Sequence, residues 1–146
     1  MNGSDPADAN LARVRAFLDE FHFSGKPDIA RIMSFFAPGG TYQPLVPATP
    51  AAVIGRDFEA ALERQFATYH ECRCEVHAFA AHGPYVFTER TDHVTLHAGN
   101  RKVASRVCAV FELDDAGLIV SWREYWDTGD VMRQMGFTAE QLAAAM

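Results

Sequence analysis

At Glu71 the spacing of apolar residues changes from helical to alternating, and the alternation then runs to Asp127. That single change of period constrains the fold most, because a helix repeats every ~3.6 residues and a strand every two. Helices come first and strands follow. From Glu71 onward the pattern predicts strands at about 71–81, 84–98, 102–113 and 118–127, joined by the turns "AHGP", "HAGN" and "DDAG".

Upstream, Leu11, Val14, Phe17, Leu18 and Phe21 recur at helical spacing until Gly25 and Pro27 end the pattern. A second, short helix is expected at 27–36, and "APGG" breaks the chain after it. "GTYQPLV" reads as a short strand that Pro44 confines to an edge or a bulge. "PATPAAVIG" reads as a loop of the kind that borders sites. A third helix at about 56–69 puts Phe58, Ala61, Leu62 and Phe66 on one face. Beyond the strands, a short helix is expected at 130–135 and another from Thr138, where Thr138 and Gln141 fit a capping box. The six phenylalanines 17, 21, 35, 36, 58 and 66 are read as core. The expected architecture is one α+β domain over 1–146, with 1–10 as a flexible, polar leader. Its helices cover the concave face of a curled antiparallel sheet, which leaves a cone with a pocket.

Composition narrows the function. Of 146 residues, 49% are hydrophobic and 22% charged, the balance of an ordinary globular domain, and the net charge of −6 excludes the Lys/Arg clustering that nucleic acid or an anionic membrane requires. "MNGSDPADAN" lacks the cationic start and apolar run of a secretory signal, and no stretch reaches the length of a membrane span, so a cytoplasmic protein is expected. Cys72, Cys74 and Cys108 are an odd count and are read as reduced thiols. His70, Cys72 and Cys74 have no second half at metal-ligand spacing, so no metal is expected. No Gly-rich phosphate loop and no nucleophile elbow are present, so no cofactor and no covalent nucleophile are expected either.

Two strands break the alternation. In "VFTERTDHVTL" the face with Val86, Thr88, Val94 and Leu96 also carries Arg90 and Asp92. In "LIVSWREYWD" the face with Leu118, Val120, Trp122 and Trp126 also carries Glu124. Three isolated buried charges cost far more than one hydrogen-bonded cluster, so Arg90, Asp92 and Glu124 are expected to meet inside. An arginine between two carboxylates keeps one ionised while burial and like-charge repulsion favour a proton on the other, which makes an acid and a base. Two readings without chemistry stand beside this one: a purely structural salt-bridge cluster, or a bulge that turns the charges outward.

The segments "ARIMSFFAPGGTYQPL", "GRDFEAAL", "VFTERTDHVTL", "VCAVFEL" and "IVSWREYWD" resemble, in this order, the limonene-1,2-epoxide hydrolase family. That family lies within the nuclear transport factor 2-like superfamily (a cystatin-like cone), whose SnoaL-like cyclases and ketosteroid isomerases share the fold. The resemblance implies that Arg90 bridges the carboxyls, that Asp92 is the general acid and that Tyr42 is a water ligand. It puts Glu124 in the place of the base and implies no covalent intermediate. Glu124 stands where the family has aspartate, and Pro44 where it has a water-binding asparagine. Pro44, Trp122 and Trp126 are expected to line the substrate pocket.

The reaction expected is therefore hydrolysis of a small, mostly apolar epoxide. The alternatives are a SnoaL-like cyclase or ketosteroid isomerase-like enzyme, which would use Glu124 or Asp92 to take a proton α to a carbonyl, and a small-molecule binding protein. The resemblance also implies a homodimer through the outer sheet face, with Val103, Val107, Ala109 and Phe111 expected there alongside Ser105 and Leu113.

Overall fold

The computed structural model describes residues 5–46 and 58–146. The loop "PATPAAVIG" and the first two residues expected of the third helix, 56 and 57, fall outside them. Asp5 caps helix α1 (Pro6–Asp19) through Ala7 N, with proline in the first turn. Residues 6–10 of the supposed leader are therefore helical, because Asp-Pro is itself a helix start. After α1 come β1 (Phe23–Ser24), α2 (Ile29–Met33), β2 (Phe36–Gln43) and α3 (Phe58–Phe66). Four long strands follow: β3 (Tyr69–His82), β4 (Tyr85–Leu96), β5 (Lys102–Leu113) and β6 (Ile119–Trp126). The chain closes with α4 (Thr128–Met135) and α5 (Ala139–Ala145), and the Thr138–Gln141 capping box is formed.

The sheet order is β1-β3-β4-β5-β6-β2. The meander β3 to β6 is antiparallel as expected, but β2 pairs with β6 in parallel, so the sheet is mixed. Pro44 ends this edge strand without interrupting a ladder. The second helix is shorter than expected, since Phe36 already pairs with Ile119. The curl has local causes. A register shift in β3 between Val76 and Ala78 falls opposite Arg90 and Glu89, and another in β2 between Phe36 and Thr41 contains Gly39 at φ +78°.

The core fills the concave face. Phe17 meets Phe21, Phe35, Phe36, Phe111 and Trp122 with ring centroids 5.0 to 5.7 Å apart and near-perpendicular planes. Each such ring removed from water contributes about 1.5–3 kcal/mol.

Two expectations are corrected here. At the start of β6, Ile119 rather than Leu118 is buried, because a register shift opposite Glu112 and Leu113 inserts Val120 and inverts the parity before Trp122. On β5, Val103, Val107, Ala109, Phe111 and Leu113 are buried in the concave core and do not face outward. They lie on the side of Val94, Arg90, Thr88 and Val86, their cross-strand partners. The convex face instead exposes Phe87 and Tyr125, 43% and 42% accessible, beside the exposed Cys108. No helix among the described residues is long and apolar enough to cross a membrane.

Candidate active site

Strands β4 and β6 are separated by β5, so charges on them meet only if the side chains are long and the strand between them is low. Ser105, Val107 and Ala109 stand opposite Asp92, Arg90 and Thr88, and Ala109 also pairs with Glu124. Neighbouring strands lie ~4.8 Å apart, and an arginine and a glutamate together span two such gaps over a row this small. The Arg90 Nε donates to Asp92 Oδ1 at 2.7 Å, and Nη2 donates both to Asp92 Oδ2 at 3.0 Å and to Glu124 Oε1 at 2.5 Å. Arg90 and Glu124 are 2% and 5% exposed, while Asp92 is half-buried at the rim of the cluster. The three residues picked out by the broken alternation therefore meet in one hydrogen-bonded cluster, of which Arg90 and Glu124 are buried.

Burial acts on Arg90 and Glu124. It pulls the Arg90 guanidinium down, but Glu124 and Asp92 more than offset this, so Arg90 stays charged. Burial pushes the Glu124 carboxyl above its ordinary value of 4.5, against the pull of Arg90. A carboxylate with a raised pKa is a stronger base near neutral pH. Among the described residues, Arg90 Nη1, Glu124 Oε2 and Trp122 Nε1 are buried without closing a hydrogen bond. Buried polar atoms left this way favour a polar guest.

These groups open onto a cavity of about 110 Å³, volume for several waters or a small molecule. Its walls include Tyr42, Pro44, Trp122 and Trp126, so every sequence-predicted site residue reaches it. Tyr42 stacks on Trp122 at 4.1 Å with planes 18° apart. Its phenol is held well above its usual pKa by burial first and by Glu124 next, which keeps it a neutral donor. Pro44 contributes its carbonyl, which accepts from Trp126 Nε1 at 2.7 Å and ties the end of β2 to β6.

Sequence reading overlooked Gln65, a buried wall residue whose Nε2 donates to Tyr42 Oη at 2.6 Å. The signal was present: 58, 61, 62, 65 and 66 make one helical stripe, and glutamine is its one polar member. The thiols Cys72 and Cys74 also line the cavity as small buried groups, and no cluster of three metal-ligating side chains occurs among the described residues.

Comparison with known proteins identifies the family. The family profile of the limonene-1,2-epoxide hydrolase catalytic domain matches residues 9–136. Epoxide hydrolase EphG of Mycobacterium tuberculosis is 42% identical over 59 residues, which is 40% of this chain and 38% of that protein's length. The solved structure of an M. tuberculosis LEH-like epoxide hydrolase superposes with a TM-score of 0.72 at 27% identity, covering 96% of both chains. An NTF2-like protein of unknown function from Burkholderia pseudomallei shares the fold alone, at 20% identity and a TM-score of 0.73 over 88% of this chain and 98% of that one.

Proposed function

We propose, from the premise that the chain belongs to the limonene-1,2-epoxide hydrolase family, that it opens a small, mostly apolar epoxide to a diol by direct attack of water. The observation that carries this reading is Arg90 bonded at once to Asp92 and Glu124 at the wall of an apolar cavity. Glu124 takes a proton from water as the water oxygen attacks carbon, and Asp92 gives a proton to the epoxide oxygen as the C–O bond breaks. One proton leaves Asp92 as another arrives on Glu124, so the net charge of the cluster does not change. Return of the proton to Asp92 resets the site. Tyr42 donates to the attacking water, and no metal or organic cofactor is required.

The test is a panel of small terpene and aryl epoxides, with at least one converted to diol. Because the reaction needs Glu124 ionised and its pKa is raised, kcat/KM should fall with decreasing pH around a midpoint above 4.5. A midpoint at or below that value would place the base elsewhere.

Pro44, which has no side-chain amide to hold a water, favours a second reading: an isomerase or cyclase in which Glu124 or Asp92 takes a proton α to a carbonyl and Tyr42 steadies the enolate oxygen. Exchange of such a proton for solvent deuterium, with no diol from any epoxide, would establish it.

We further place a homodimer interface on the convex sheet face, around Phe87 and Tyr125. Light scattering at micromolar concentration should give twice the mass of one chain, and Phe87→Glu should shift it toward one. A parent protein with the mass of a single chain would contradict this.

A further inference from the structure

Resting on the hydrolase reading, we infer that Gln65 is a positioning residue for the reaction: it aims the Tyr42 hydroxyl hydrogen at the attacking water. Gln65 is 6% exposed and sits in the apolar stripe of α3 among Phe58, Ala61, Leu62 and Phe66. A leucine there would extend the core with no polar group to satisfy, whereas an amide must find a partner. The partner is the site tyrosine, 23 residues away on another element.

The Tyr42 ring is already fixed without that bond. It stacks on Trp122, and the Phe58 ring meets it at 5.2 Å with planes 71° apart. The freedom left to it is rotation of the O–H about the C–O bond. A phenol has one hydrogen to give and accepts in the remaining directions. With Gln65 Nε2 donating from one side, the Tyr42 hydrogen must point elsewhere, and the cavity holding Arg90, Asp92 and Glu124 is lined by the same tyrosine. Burial and the Glu124 carboxylate keep the phenol protonated, so the donor is present throughout the working pH range. A water that accepts from Tyr42 and donates to Glu124 is then aligned for attack.

The test is a double-mutant cycle on an epoxide that the parent protein opens. Gln65→Leu should lower kcat on the order of tenfold with KM unchanged, the scale of one neutral hydrogen bond. In the Tyr42→Phe background the same change should cost nothing further, because the group it aims is gone. Gln65→Met, of matching length, provides the second variant should leucine impair folding, with thermal midpoints recorded for all. Equal losses of kcat with and without the Tyr42 hydroxyl would overturn the role of Gln65 and leave the hydrolase reading standing. No diol from the parent on any epoxide would overturn the hydrolase reading and this inference with it.

Discussion

Glu124→Gln should lower kcat by about 100- to 10,000-fold, the range that a positioned general base supplies, while a diol product still binds with near-parental affinity. The amide keeps the shape of the carboxyl and accepts from Arg90 at Oε1, but it cannot take a proton from water. The fold should survive, because Arg90 retains both bonds to Asp92. Steady-state rates paired with calorimetry of diol binding measure the two effects separately. A kcat within a few-fold of the parent would remove Glu124 from the reaction, and loss of binding with unchanged kcat would make it a recognition group.

Arg90→Ala should cost about 3–5 kcal/mol of stability, read from chemical denaturation, because the buried Glu124 and the half-buried Asp92 are left without their cation. The loss should deepen with pH. Burial already holds Glu124 above 4.5 and Arg90 pulls it back, so without Arg90 the carboxyl rises further. A carboxyl whose folded value is raised is tolerated while protonated and costs stability as pH rises through that value. The variant should therefore lie nearest the parent in acid and furthest at neutral pH. A loss below about 0.5 kcal/mol, as for an exposed residue, would mean that the charges face water.

The cluster was legible because alternation is a strict period: Arg90 and Asp92 share parity with Val86 and Leu96, and Glu124 shares it with Trp122, wherever the strands sit in the sheet. Parity names two faces without saying which is the inside. For β5 that ambiguity sent Val103, Val107, Ala109 and Phe111 to the outer surface. The pairs Arg90↔Val107 and Thr88↔Ala109, which no single strand contains, put them in the core. The inserted Val120 was hidden for a related reason, since a bulge leaves the composition of a strand unchanged while shifting everything before it. The parallel pairing of β2 with β6 joins Tyr42 to Trp122 across most of the chain, and local pattern carries no trace of such a pair. Resemblance to a family supplied Tyr42. Gln65 was missed because one polar residue in an apolar stripe is easily read as tolerated, although burial of an amide asks for a partner.

The most direct test of one-step attack is a single turnover in ¹⁸O water, with protein in excess over an epoxide that it opens. On the proposed mechanism solvent oxygen attacks carbon without a covalent ester, so the diol of the first turnover should carry one ¹⁸O atom while Asp92 and Glu124 stay unlabelled by mass spectrometry. A first-turnover diol with no solvent oxygen, followed by ¹⁸O in either carboxyl, would show attack by the protein itself and contradict the mechanism.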